Sequence, residues 1–189
     1  MNRRKFLKKM LYTTAGLCLS PILSGIPEAS ARGVQIRETY LRFLSLTNRT
    51  VTDMIVIHHV GGTDHEVSAA EIHRWHLHNG WAGIGYHYVI HKDGSIERGR
   101  PRDAVGAHCY GENDHTIGIN LVGNFQVAVP TGAQLDAAAA LVAQLCQIYR
   151  IRPGAGSIVG HRDLNSTECP GQNLYDQLPD LREAAASML

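Results

Sequence analysis

Eleven histidines and four cysteines are spread over 189 residues. Three places set such residues at the ends of short apolar runs or in the loops just after them. His58-His59 closes Met54-Ile55-Val56-Ile57, His161 follows Ser157-Ile158-Val159-Gly160, and Cys169 stands eight residues beyond His161. Imidazole nitrogen and thiolate sulfur are donors that borderline-soft Zn²⁺ accepts. Three protein donors leave a fourth position for water, which marks a catalytic site, whereas a structural site would more usually show four ligands, often as close Cys-x-x-Cys pairs. The chain has no such pair. At the first place either histidine can serve, but not easily both, because neighbouring strand residues point to opposite faces of a sheet.

The elements that must hold these donors are legible in outline. Met54 to Ile57 reads as a strand buried on both faces. Ser68-x-x-Glu71 is a capping box opening a helix to about His78, and Thr131-x-x-Gln134 opens a longer one to about Tyr149, stopped near Pro153-Gly154. Tyr86 to His91 alternates as a strand, Lys92-Asp93-Gly94 turns, and Ser95 to Arg98 returns as a hairpin arm. Further strands are expected at Thr116 to Val122 and Ser157 to Gly160, with a short helix near Glu38 to Leu46 and a terminal one from Tyr175 to Met188. Interleaved strands and helices make the fold class α/β: a single domain with a central mixed β-sheet flanked by helices.

The first thirty-one residues stand apart from this domain. Arg3-Arg4-Lys5-Phe6-Leu7-Lys8 is a basic start, an apolar run follows to Ile26, and Ala29-Ser30-Ala31 is a small-x-small cleavage site. The string resembles a twin-arginine export signal. Residues 1–31 are therefore expected to direct export to the periplasm or the exterior, leaving 32–189 as the domain, with no stable membrane anchor after cleavage. Their removal takes five of the 18 Lys and Arg and one of the 17 Asp and Glu, for a net charge of −3. No basic field remains to argue for nucleic acid. An odd count, Cys109, Cys146 and Cys169, then leaves at least one cysteine outside any internal bridge. Cys169 is the candidate; Cys146, inside an apolar helical run, reads either as a buried thiol or as the partner of Cys109.

Several motifs in one order carry a more specific signal. They are Ile57-His58-His59, Trp75-His76, Gly80-Trp81, Ile84-Gly85-Tyr86-His87-Tyr88, Asp93-Gly94, Gly99-Arg100 and Gly106-Ala107-His108. Thr116-Ile117-Gly118-Ile119, Gly160-His161-Arg162-Asp163 and Thr167-Glu168-Cys169-Pro170-Gly171 complete the set. From about Met54 to Tyr175 the chain resembles the zinc amidases that include N-acetylmuramoyl-L-alanine amidases of the phage lysozyme type and the peptidoglycan recognition proteins. The resemblance implies one zinc ion per chain, held in a surface groove by His58, His161 and Cys169. It implies Tyr86 and Thr167 as catalytic groups facing the open zinc position, and hydrolysis of the amide bond between N-acetylmuramic acid and L-alanine by a monomer.

The same resemblance sets His59 and His108 beside the substrate, peptidoglycan or its muropeptides. His87 would alternate away from Tyr86, and Trp75 and Trp81 are expected as core anchors more than as sugar platforms. Some relatives use a carboxylate on the strand matching Thr116 to Leu121 as a proton acceptor; this chain has Asn120 there, which leaves the general base unassigned. Two rival functions remain open. A non-hydrolytic recognition module would typically lose a zinc ligand, and a redox thiol protein would need no metal.

Overall fold

A computed structural model describes residues 33–189, so the export signal expected over residues 1–31 lies outside the described part. Along the chain come β1 (Ile36–Arg37), β2 (Met54–His59), α1 (Ala69–His78), β3 (Tyr88–Ile90), β4 (Ile96–Arg98), β5 (Thr116–Leu121), α2 (Gly132–Tyr149), β6 (Ile158–Gly160), α3 (Gln172–Tyr175) and α4 (Leu178–Ser187). The strands form one mixed sheet in the order β1-β4-β3-β5-β2-β6, parallel at every pairing except β3 with β4. The central strands β2 and β5 are covered on both faces, which is why they read as apolar runs rather than as alternating ones.

Each face has its own core. On one, Ile55, Ile57, Ile117, Ile119 and Leu121 meet Leu141, Val142 and Leu145 of α2 and Leu181 of α4. Each such side chain taken fully from water contributes about 1.5–3 kcal/mol. On the other, Ile72 of α1 packs with Val67, Ile84, Val89 and Val122. Both long helices begin with a complete capping box, at Ser68 with Glu71 and at Thr131 with Gln134. Gln134 does more than cap: its buried amide donates to the Val122 carbonyl at 2.9 Å, tying the start of α2 to the sheet beyond β5.

The hairpin turn forms as its residues dictate. Asp93 Oδ1 accepts the Ser95 amide at 2.8 Å, and Gly94 sits at φ +84°. Elsewhere tertiary pairing overrides local pattern. No helix forms near Glu38 to Leu46; Ile36–Arg37 pairs with β4 instead, and irregular chain follows. The strand expected from Tyr86 starts only at Tyr88, and the terminal helix expected from Tyr175 begins at Leu178 as α4, after the short α3; α2 ends at Tyr149 as expected, capped by Arg150 in the left-handed conformation. The possible Cys109–Cys146 bridge is absent, and Cys109, Cys146 and Cys169 are free thiols. Cys146 is buried in the α2 core, whereas Cys109 hydrogen-bonds Asn165 beside His161. Among the described residues no helix is long and apolar enough to cross a membrane.

One row of the sheet prepares the site. Arg37, Glu97, Val89, Asn120 and His58 are successive cross-strand partners from β1 to β2. Ile57 pairs with Gly160, the last residue of β6, so His161 leaves its strand beside His58. Three parallel strands thus deliver His58, Asn120 and His161 to their carboxyl ends, where open α/β sheets bind ligands.

Candidate metal centre

His58, His161 and Cys169 come together from β2, from the 3₁₀ turn His161–Asp163 and from the loop after it. One donor atom from each lies within 4.8 Å of the others. Cys169 Sγ is 3.6 Å from His58 Nδ1, and the two imidazole centroids are 4.6 Å apart. The chain around His161 is bound into place residue by residue. Asp163 accepts the Gly160 amide at 2.8 Å and the Tyr175 hydroxyl at 2.6 Å. Arg162 donates its backbone amide to the Cys169 carbonyl at 2.8 Å and its guanidinium to the Glu168 carbonyl at 2.5 Å and Gln172 Oε1 at 2.8 Å. The second and third candidate ligands are therefore one local unit.

Burial sets the charge state of the cluster. It holds the His58 imidazole well below its ordinary value, with the His161 ring adding to the effect, and it lowers His161 against the pull of Asn165. It pushes the Cys169 thiol up to about 12, although the His59 backbone amide and Arg162 act the other way. Two neutral imidazoles and a thiol that burial keeps protonated are the state a dication would change, since a coordinating cation deprotonates the thiol outright. The donor set fits Zn²⁺.

Two depressions meet at this cluster, and His161 and Thr167 line both. One, about 640 Å³, has His59, Asn124, Gln126, Glu168 and Cys169 in its wall. The other, about 590 Å³, is bounded by Trp81, Ala107, His108 and Tyr110. The family model described as N-acetylmuramoyl-L-alanine amidase matches residues 47–172, which span β2 to β6, both depressions and the cluster. The chain belongs to the N-acetylmuramoyl-L-alanine amidase family.

Relatives of two kinds share that family. The chain is 32% identical to an endolysin of Klebsiella phage KP32 over 137 residues, 69% of this chain and 88% of the phage protein. It is 36% identical to peptidoglycan-recognition protein SC2 of Drosophila melanogaster over 130 residues, 65% of this chain and 70% of that protein. The solved structure of the endolysin N-acetylmuramoyl-L-alanine amidase LysCS from Clostridium intestinale is similar at a TM-score of 0.72, with 35% identity, covering 78% of this chain and 95% of that one.

Within the amidase fold, Tyr86 lies ahead of β3, half-buried at the larger depression, with its ring centroid 5.1 Å from that of His58. Its position rests on glycines and an arginine. Arg100, itself buried, donates to the carbonyls of Ile84 at 2.8 Å and Val105 at 2.7 Å. A methyl group on Gly85 would stand 1.9 Å from the Ala107 carbonyl oxygen, so only glycine lets the two loops touch. Burial raises the Tyr86 phenol well above its usual range, and the neighbouring Cys169 adds to this. Thr167 is exposed on the rim, and its hydroxyl accepts the Cys169 amide at 3.2 Å.

His59 is not part of the three-residue cluster. Its Nδ1 accepts the Phe125 amide at 3.1 Å, and burial brings its pKa down to about 4. His108 is buried behind His58 and hydrogen-bonded to it at 3.1 Å, with part of its surface in the smaller depression. His87 is occupied within the fold, accepting the Gly118 amide at 3.0 Å and contacting the Ala104 carbonyl at 2.9 Å.

Trp75 and Trp81 are not core anchors: they are 43% and 42% exposed, and Trp81, in the wall of the smaller depression, packs at a tilt against His76. Two residues at the site went unassigned in the sequence. His76 holds the Gly85 amide at 2.9 Å and packs its ring 5.5 Å from that of Tyr86; the Trp75-His76 motif was its signal. Asn165 bonds His161 at 3.0 Å, and nothing in the spacing pointed to it.

Proposed function

We propose that this chain is a zinc-dependent amidase that hydrolyses the bond between the lactyl group of N-acetylmuramic acid and L-alanine in peptidoglycan or its fragments. The observation that carries the proposal is the convergence of buried His58 with His161 and Cys169, which line an open depression, with Tyr86 in the same wall. A zinc ion held by these three would supply Lewis acidity to polarise the scissile carbonyl and to activate water for attack.

The chain's own residues account for the rest of the chemistry. Tyr86 keeps its proton throughout the physiological range, so it acts as a hydrogen-bond donor towards the oxyanion that develops on the carbonyl. Thr167 Oγ1 already accepts the Cys169 amide, which leaves its hydrogen for a substrate oxygen or for the attacking water. His59, with Nδ1 occupied by the Phe125 amide, presents Nε2–H to the larger depression and can hold a peptide carbonyl or carboxylate there. Solvent in the groove takes the proton that the attacking water gives up and delivers one to the leaving amine. Residues 1–31 act in this reading as the export signal that brings residues 32–189, as a monomer, to the periplasm or the exterior.

A recognition module is the second reading, since one relative bears that name. Retention of all three donor residues, Cys169 above all, favours cutting over binding alone. Zinc-loaded protein incubated with intact sacculi and with soluble muropeptides is expected to release free stem peptides, identified by mass. Binding without release from either substrate establishes the recognition reading instead.

A further inference from the structure

Two hydrogen-bond chains lead away from the candidate ligands, and both end on the loop between Gly106 and Thr116. In the first, His58 Nε2 lies 3.1 Å from His108 Nδ1, and His108 Nε2 lies 3.4 Å from Thr116 Oγ1. The hydroxyl hydrogen of Thr116 is taken by the Glu112 carbonyl at 2.6 Å, so Oγ1 has only lone pairs to offer the imidazole. His108 therefore carries its proton on Nε2, its Nδ1 is an acceptor, and His58 Nε2 is the donor.

In the second chain, His161 Nε2 lies 3.0 Å from Asn165 Oδ1. The Asn165 amide cannot turn over, because its Nδ2 donates to the carbonyls of Tyr110 at 3.1 Å and Leu164 at 3.0 Å. The acceptor thus faces His161, whose Nε2 must be the one that is protonated. Both chains carry the same polarity, and both leave Nδ1 as the unprotonated nitrogen; that of His58 lies 3.6 Å from Cys169 Sγ.

The loop that anchors the chains is itself fixed. Asn113 Oδ1 accepts the amides of His108 at 2.8 Å and Cys109 at 3.0 Å. A methyl group on Gly106 or Gly118 would stand 2.5 or 2.6 Å from the His108 ring, so the ring is packed closely against two glycines and has little room to shift. A histidine's free nitrogen is set by what the other nitrogen bonds.

We propose that His108 and Asn165 are positioning residues that hold His58 and His161 in the Nε2–H tautomer, so that Nδ1 of each carries no proton before any metal arrives. The inference rests on the zinc reading, and the experiment separates the two. Ring ¹⁵N shifts of the full zinc-free chain are recorded at neutral pH, and zinc affinity is measured by chelator competition.

His58 and His161 are expected to show protonated Nε2 and unprotonated Nδ1 without metal. Asn165→Leu and His108→Leu should each lower zinc affinity about 10- to 100-fold. His108→Asn, whose amide can put an acceptor near the place of Nδ1, should recover most of that loss. Tautomers that are mixed or reversed in the wild type, or leucine variants that bind zinc as the wild type does while folded, would overturn the proposal. A wild type with the expected tautomers and no zinc affinity would instead overturn the zinc reading.

Discussion

Asn120 on β5 is the register partner of His58 on β2, and although its side chain is fully buried, neither of its amide atoms has a hydrogen-bond partner. A buried polar group left in this state costs about 1–3 kcal/mol, and apolar replacement of similar shape removes the cost. Such groups are retained where the reaction uses them. Asn120→Leu is expected to raise the melting temperature of the zinc-free protein while lowering amide hydrolysis. A melting temperature that falls, or turnover that is unchanged, contradicts this account of Asn120.

Tyr86→Phe removes one hydroxyl from beside the cluster and leaves the ring that packs on His58 and His76. Loss of a single oxyanion donor costs about 10²–10³ in turnover. The variant should show that loss with one zinc per chain retained, read by metal analysis beside the hydrolysis rate.

Gly85→Ala tests how Tyr86 is placed. Its new methyl group would meet the Ala107 carbonyl oxygen at 1.9 Å, and backbone cannot yield as a flexible side chain can. The two loops should part, at a cost of about 1–3 kcal/mol, and hydrolysis should fall with them. A variant as active and as stable as the parent would show that the loop contact does not position Tyr86.

Zinc binding should be visible in stability. A ligand at a hundred times its dissociation constant adds about 2.7 kcal/mol to the folded state. Wild-type protein should melt at a higher temperature with zinc than after chelation, and Cys169→Ser should lose most of that difference because the candidate site loses its thiolate donor.

His115 makes one part of stability depend on pH. Its imidazole hydrogen-bonds Asp53 at 2.6 Å and Glu112 at 2.8 Å, and these carboxylates, Asp53 foremost, raise its pKa above the ordinary 6.5. A folded-state pKa above the unfolded one stabilises fully below the unfolded value, and the contribution is lost as pH rises through the folded value. Thermal melts of the wild type and His115→Gln should therefore differ more at pH 5.5 than at pH 8.5. A gap that widens with rising pH would refute the assignment.

By itself the sequence determined the class of the fold and most of its elements, because these are written locally, and its family resemblance singled out the candidate ligands. Apolar runs mark strands covered on both faces, Ser68 with Glu71 and Thr131 with Gln134 mark helix starts, and the ordered motifs from Ile57 to Gly171 mark the family. Tertiary structure decided what depends on partners distant in the chain. Residues 36–37 became a strand because β4 offered an edge, and Cys109 and Cys146 stay unpaired, one beside His161 and the other in the α2 core.

His108 and Asn165 hold the candidate ligands through bonds that no spacing predicts, spanning fifty residues in one case and four in the other. Periodicity records which way a side chain points along its own element. The atom it meets is set by sheet register and loop contact, which exist only once the chain has folded.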